Sequence, residues 1–329
     1  MNFQWKVWLD GARPRTFPAA VVPVVVGTSA GYLASRHFSV TQHCQGTVQI
    51  CGQLTNHVFS FPKALLALIV ALGIQIGTNY VNDYADGERG TDRSRVGPTR
   101  LVASELATAR EVKIAAAIAF GVAGIAGLLL ALMVTWWFIP LGLLCGVAGW
   151  AYTGGPKPYG YLGLGEVFVF VFFGLVATAG SAYVQHAPFG IKYKGILFTY
   201  IHYPWGFVVW CGVPIGLLAA ALLQANNIRD IDTDKVAGKK TLAVRLGRQN
   251  AGLLYALTLM AVALSIGVIQ HYRGYALVAL LGLVFAIRPV RLALSDREGR
   301  RLLPMLGATA QLQMVVGLLL TVGLLLLRP

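Results

Sequence analysis

Long apolar stretches separated by short polar ones run the length of the chain. A helix crossing a bilayer needs about 20 mostly apolar residues. Nine stretches approach or meet that length: 16–35, 62–84, 112–133, 135–153, 163–185, 206–228, 251–270, 274–290 and 303–327. Each reads as a helix, because backbone N–H and C=O groups in hydrocarbon must pair within their own segment. The pattern predicts an all-α, polytopic membrane protein: a nine-transmembrane-helix bundle forming one domain over residues 1–329. The first stretch contains Pro18 and Pro23, is longer than the apolar core of a signal peptide and has no small-residue cleavage site after it. It is therefore counted as a span.

Composition excludes the soluble reading that 329 residues would otherwise invite. Hydrophobic residues make up 56% and charged residues 12%, against about 25% charged in soluble domains, and the mean hydropathy is +0.65. Four cysteines are too few for a disulfide scaffold.

The formal charge of +14 raises the question of nucleic acid, and residue positions answer it. With the N-terminus inside, only Arg36, Lys63, Lys192, Lys194, Arg273 and Arg328 of the 27 Lys and Arg fall outside. The basic excess thus reports topology by the positive-inside rule, with no nucleic-acid partner implied. All 13 carboxylates fall on the same inner side, and all six histidines on the outer side, which removes a His base or His-ligated zinc from the inner face. Residues 36–61 form a polar outer-loop insertion. Its Cys44 and Cys51 are open to a disulfide or to two free thiols, and Cys145 and Cys211 read as packing residues inside spans.

Two segments carry the candidate chemistry. The first closes span two: Asn79-Tyr-Val-Asn82-Asp83-Tyr84-Ala-Asp86-Gly87-Glu88-Arg89-Gly90-Thr-Asp92, running on through Arg95, Gly97, Pro98 and Arg100. On a helix, Asn79, Asp83 and Asp86 share a face. The second closes span six: Asn226-Asn227-Ile-Arg229-Asp230-Ile-Asp232-Thr-Asp234, followed by Gly238-Lys239-Lys240-Thr241 and Arg245, with Asn226, Asp230 and Asp234 on one helical face.

Neighbouring carboxylates repel and are costly to desolvate, so such clusters persist only where cations compensate them. Oxygen donors without thiolate or imidazole select a hard cation, and Mg²⁺ in particular binds through a few carboxylates plus substrate phosphates. The surrounding Arg and Lys suit those phosphates. The residues therefore read as a Mg²⁺-diphosphate site at the inner face, and a merely solvated loop surface explains two matched clusters poorly. Asp83 to Gly87 also match the opening of the CDP-alcohol phosphotransferase signature, but Gly90-Thr91 replaces its Ala-Arg and the later carboxylates lie far along the chain.

With these motifs in place, the chain resembles the UbiA superfamily of intramembrane aromatic prenyltransferases. It is most similar to the 1,4-dihydroxy-2-naphthoate polyprenyltransferase branch that serves menaquinone synthesis. The resemblance is carried by Asn82-Asp83-Tyr84-Ala85-Asp86 with Gly90 and Asp92, Arg95-Val-Gly-Pro98-Thr-Arg100, Arg13-Pro14-Arg15-Thr16, Gly155-Pro156-Lys157-Pro158-Tyr159, and Asn227-Ile-Arg229-Asp230 with Gly238-Lys239-Lys240-Thr241-Leu242. The ubiquinone-type branch places a third Asp where Gly90 stands here, which favours the naphthoate acceptor over 4-hydroxybenzoate.

The resemblance implies a bundle around a central cavity, with Mg²⁺ held by Asp83, Asp86, Asp230 and Asp234 and bridging to the diphosphate of a polyprenyl donor. Asn79, Asn82 and Asn227 would assist. Arg95, Arg100, Lys157, Arg229, Lys239 and Lys240 would contact the diphosphate. Aromatic faces such as Tyr84, Tyr152 or Tyr159 would stabilise an allylic cation, and Arg13 or Arg15 would bind the acceptor carboxylate. Glu166 is a candidate fifth carboxylate in the cavity. The expected setting is the inner membrane, with the site facing the cytoplasm. A cation transporter is the alternative from another class, but the charges cluster at one face and no span carries an acidic residue near its midpoint.

Overall fold

A computed structural model of the chain describes residues 5–36, 51–52, 59–90, 100–155, 158–185, 189–193, 196–200, 204–272, 275–295 and 298–326. Its helices, numbered here in chain order, are α1 (Trp5–Ala12), α2 (Pro18–Arg36), α3 (Phe61–Glu88), α4 (Ala109–Met133) and α5 (Phe138–Ala151). There follow α6 (Gly165–Tyr183), α7 (Trp205–Arg229), α8 (Ile231–Val236), α9 (Leu242–Tyr272), α10 (Ala276–Ala293) and α11 (Gly299–Leu325).

Among the described residues, seven helices are long and apolar enough to cross a membrane, and the bent pair Trp5–Thr16 with Pro18–Ala34 makes an eighth. This is a multi-pass membrane protein. The fourth predicted stretch is α5, which has only 14 residues. At 1.5 Å per residue it is about 21 Å long, short of a hydrocarbon core of about 30 Å. Its ends are trimmed by the Thr135-Trp136-Trp137 turn and by Tyr152 to Gly155.

The bundle itself is all-helical. Outside it, Cys51–Gly52 (β1), Phe189–Tyr193 (β2) and Ile196–Tyr200 (β3) form a small antiparallel sheet in the order β1-β2-β3. It joins the segment after α2 to the segment after α6, where paired backbone substitutes for a helix in polar loops. Most of the 36–61 insertion, and with it any Cys44–Cys51 disulfide, lies outside the described residues. Helix α1 was not anticipated. It opens the segment Trp5–Thr16, which is bent by 56° from Pro18–Ala34 and contains Arg13 at a left-handed φ of 57°, and it docks on α3, where Tyr80 donates its hydroxyl to the Trp8 carbonyl at 2.9 Å.

Local chemistry accounts for the helix limits. Thr108 and Glu111 form a reciprocal capping box at the start of α4. Pro62 sits in the first turn of α3, where its missing N–H costs nothing. In α9 the helical path breaks at Gly247 (φ 75°, ψ 168°), so a short turn from Leu242 precedes the apolar run. Over Phe170–Val176, α6 widens to a π-helix. Glycines let helices close in: a Cβ on Gly31 or Gly27 of α2 would collide with the Ala182 or Thr178 carbonyl of α6. In a bilayer, where water does not drive helices together, such small-residue contacts are a main source of association.

Helices α2 to α7 surround a cavity of about 1280 Å³. Its walls are apolar, with Phe120 from α4, Phe138 from α5 and Phe168, Phe172 and Phe173 from α6. Polar residues gather at one end.

The α2–α6 contact is testable. Gly31→Val must displace backbone rather than a flexible side chain, at a cost of about 1–3 kcal/mol or more. A lowered melting temperature in detergent is expected, and an unchanged one would contradict this packing.

Candidate active site

Helix α3 runs unbroken through the first acidic motif, so Asn79, Asn82 and Asp86 reach the cavity wall together with Tyr84. Asn79 donates through Nδ2 to the Ala12 carbonyl at 2.8 Å and to Thr16 Oγ1 at 3.0 Å, tying α3 to the α1–α2 bend. Asn82 accepts from the Thr153 hydroxyl. Asp83 faces another way: its Oδ2 accepts from Leu101 N at 2.9 Å and its Oδ1 from Val102 N at 3.1 Å. Fully buried and absent from the cavity wall, it anchors the segment that carries Arg100.

The second motif is not one continuous helix. Asp230 sits between α7 and α8 at φ −95°, ψ 6°. Its carboxylate is gripped by its neighbour, with Arg229 Nε and Nη2 each 2.7 Å from one oxygen. This fork-on-carboxylate pair is fully desolvated. The break turns Asp234 toward the cavity with Asn226, Asn227 and Arg229, while the Asp230 side chain stays off its wall. Asn227 donates to Glu166 Oε1 at 2.9 Å. Glu166 therefore stands behind Asn227 and does not itself line the cavity.

The turn between α5 and α6 links the two motifs. Tyr161 donates its hydroxyl to Asp86 Oδ1, and Lys239 Nζ, reaching across from beyond α8, donates to Asp86 Oδ2 at 3.0 Å. The same ammonium lies 4.7 Å from the Tyr161 ring centre. Gly238, at φ 70°, lets the chain turn so that Lys239 points inward. Arg89 donates to the carbonyls of Thr153 and Gly155, and so holds this turn against the end of α3. Tyr159 stacks on Phe168 at 3.9 Å and meets Tyr152 edge-on at 5.5 Å. Burial pushes the Tyr159 phenol well above its usual range, so it stays protonated and donates to the Ala148 carbonyl.

Of the residues anticipated from sequence, Asn79, Asn82, Tyr84, Asp86, Arg100, Tyr152, Asn227, Arg229, Asp234 and Lys239 line one cavity, as do Arg13 and Arg15. Lys240 is exposed and contributes its backbone N–H to Tyr161 O at 2.9 Å. Arg95, Lys157 and Asp92 lie outside the described residues. Tyr161, Thr153 and Arg89 were missed, because a tyrosine two positions past a Gly-Pro-Lys-Pro-Tyr run carries no spacing signal of its own.

Among the described residues, no three His, Cys, Asp or Glu side chains are clustered as a ready-made metal site. The donor set on the wall nonetheless fits a hard divalent cation: Asp86 and Asp234, with the amides of Asn82, Asn226 and Asn227, present only oxygen acceptors.

A multi-pass helical bundle enclosing an apolar cavity that ends in carboxylates, amides and cations defines an intramembrane site for a molecule with a long apolar part and an anionic head. The chain belongs to the UbiA prenyltransferase family, which it matches over residues 53–309. It is 42% identical over 320 residues to a 1,4-dihydroxy-2-naphthoate octaprenyltransferase of Mycobacterium tuberculosis, covering 96% of this chain and 95% of that one. It is 31% identical over 331 residues to the Escherichia coli protein of the same name, covering 98% and 96%. A solved UbiA homolog from Archaeoglobus fulgidus bound to GPP and Mg²⁺ superposes with a TM-score of 0.60 at 15% identity, over 95% of this chain and 99% of that one. An apo UbiA homolog from Aeropyrum pernix also superposes at 0.60, with 19% identity over 92% and 97%. At these identities the structures speak for the fold alone.

The anchoring of the Arg100 segment can be checked. Asp83→Ala strands the buried Leu101 and Val102 N–H groups, a loss of about 1–3 kcal/mol, and should expose residues 100–106 to limited proteolysis. Asp83→Asn keeps one acceptor oxygen and should lose less. Native-like protease resistance in Asp83→Ala would show that the carboxylate does not hold this segment.

Proposed function

We propose that the protein is a Mg²⁺-dependent intramembrane prenyltransferase that moves a polyprenyl group from its diphosphate to 1,4-dihydroxy-2-naphthoate, with release of pyrophosphate and loss of the ring carboxylate as CO₂, giving the quinol form of demethylmenaquinone. The observation that carries this reading is the cavity: about 1280 Å³ of mainly apolar wall ending in Asp86, Asp234, Arg100, Arg229 and Lys239. A polyprenyl diphosphate has the same division, an apolar chain and an anionic head. Near-full-length similarity to proteins named as naphthoate octaprenyltransferases supports the acceptor.

Asp86 and Asp234 would hold Mg²⁺, with Asn82, Asn226 and Asn227 as further oxygen donors. When bound, the ion supplies charge neutralisation at the departing diphosphate. Arg100, Arg229 and Lys239 neutralise its remaining oxygens. They do so in a low-dielectric site where each charge counts for more than it would in water. Helix α6 and the turn before it place Tyr152, Tyr159, Phe168 and Phe172 along the wall. These faces exclude water and favour positive charge developing at the allylic carbon. The electron-rich naphthoate ring then captures that carbon. Arg13 and Arg15, at the α1–α2 bend on the cavity rim, are the basic groups suited to the acceptor carboxylate. In this reading α5 is a short ninth span of a single domain over 1–329. The setting is the inner membrane, with the polar end of the cavity facing the cytoplasm, a reading supported by the distribution of Lys and Arg.

The test is turnover by purified protein in detergent with Mg²⁺ and farnesyl or geranylgeranyl diphosphate, offering 1,4-dihydroxy-2-naphthoate and 4-hydroxybenzoate side by side. Prenylated naphthoate and released pyrophosphate are expected, abolished by EDTA and lowered at least about 100-fold in Asp86→Ala and Asp234→Ala. Turnover of the benzoate instead would overturn the acceptor. A folded protein that consumes neither would overturn the enzyme reading and leave a cation pathway to be tested.

A further inference from the structure

Three buried carboxylates of the two motifs, Asp83, Asp86 and Asp230, have different compensators, and these differ in how readily they can be exchanged. Asp83 is held by two backbone N–H groups and Asp230 by the guanidinium of its own neighbour. Neither partner can leave without moving the main chain or breaking a bidentate pair. Asp86 is different. One of its oxygens takes a phenolic hydrogen bond from Tyr161, and the other takes an ammonium, Lys239 Nζ at 3.0 Å, from a residue 153 positions away in sequence. That ammonium sits on a flexible four-carbon stem behind a glycine at φ 70°. It has a second favourable seat, the Tyr161 ring face 4.7 Å away. The pair is desolvated, with side-chain exposures of 7% for Lys239 and 2% for Asp86.

We propose that Lys239 is a resident cation that occupies Asp86 in the unloaded protein and is displaced by an incoming divalent ion, with Tyr161 the positioning residue that keeps both partners in place during the exchange. This rests on the prenyltransferase reading above and deepens it. A buried carboxylate at this depth needs a cation at all times. Lys239 meets that need before the ion arrives. Once a divalent ion takes the Asp86 oxygen, the ammonium is left beside the same cavity wall, where a diphosphate requires one more positive charge. The Tyr161 hydroxyl holds the carboxylate through the change, and its ring keeps the ammonium from swinging away. Binding of divalent ion in the absence of donor is therefore competitive with an internal group, and is weak for that reason.

The experiment measures donor-free Mn²⁺ binding to purified protein in detergent, by electron paramagnetic resonance of the unbound ion. Lys239→Met removes the competitor and should bind Mn²⁺ on the order of tenfold more tightly than the native protein. Lys239→Arg keeps a cation and should stay near native. In the same samples pyrophosphate affinity should fall in Lys239→Met and survive in Lys239→Arg. Tyr161→Phe keeps the ring and loses only the hydroxyl; it should raise KM for the donor with a smaller change in kcat. A Lys239→Met protein that binds Mn²⁺ equally or less tightly overturns the inference. Should that variant fail to fold, the native protein still decides: the reactivity of Lys239 toward a small acetylating reagent, read by mass spectrometry, should rise on adding Mg²⁺ and fall again with pyrophosphate. A reactivity unmoved by Mg²⁺ overturns the inference. Native protein that turns over the donor with a Mg²⁺ requirement, yet shows no displacement, would sink this exchange and leave the prenyltransferase reading standing. Absence of both would sink the two together.

Discussion

The constraint on which the rest of this structure depends is compensation of buried negative charge. Asp83, Asp86, Asp230 and Asp234 are all buried at the ends of apolar helices, where an unpaired carboxylate would cost several kcal/mol. Each solution found dictates a piece of architecture. Backbone N–H groups brought to Asp83 hold Leu101 and Val102 against α3. An adjacent guanidinium at Asp230 accompanies a break in the helix. A lysine sent across to Asp86 draws the segment after α8 over the cavity. The cap of the bundle is thus an electrostatic consequence of the acidic motifs.

The apolar part of the fold answers a different demand. Water does not drive helices together in lipid, so α2, α6 and α7 approach through glycine: Gly27 and Gly31 at one crossing, Gly174 and Gly216 at the other. The widened turn over Phe170–Val176 lies at the second crossing. Phe172 and Phe173, in that same stretch, face the cavity. Close backbone packing on one side of α6 and an aromatic wall on the other are therefore set by the same stretch of chain.

Much of this was legible in the sequence, for identifiable reasons. Hydropathy located each long helix to within a few residues, except that α9 begins earlier, since a polar turn ahead of Gly247 gives no apolar signal. The Thr108 and Glu111 capping box, which starts α4 ahead of the apolar run, was not read from the sequence. Small α1 and the sheet were invisible to a search for 20-residue apolar runs. At the site, residue chemistry identified the oxygen donors and cations, but helical periodicity misjudged orientation. Asp83 was expected beside Asn79 and Asp86, yet it turns to Leu101 and Val102, because two N–H donors lay within reach on that side. Asp230 and Asp234 were expected on one continuous helix. The φ/ψ of Asp230 interrupts it, and only the later carboxylate reaches the wall. Tyr161 could not be singled out, since its role depends on a contact between residues 75 apart.

The two acidic motifs, so alike in sequence, therefore do different things in the fold. In each, one carboxylate is engaged off the cavity wall, Asp83 by backbone N–H groups and Asp230 by the Arg229 guanidinium, and another lines the cavity, Asp86 and Asp234. Asp83 is bound by backbone N–H groups and Asp230 by the bidentate guanidinium of its neighbour, whereas Asp86 is bound by side chains from other segments, Tyr161 and Lys239. The anchoring carboxylate also fixes the cations that would face an anionic ligand. Asp83 fixes the segment bearing Arg100, and Asp230 fixes Arg229. Substituting either anchor would disturb a basic group along with an acidic one, so a loss of activity on replacing Asp83 or Asp230 is by itself no evidence that these residues touch a metal. Replacing Asp86 or Asp234 leaves both of those anchors in place, and replacing Asp86 also releases Lys239.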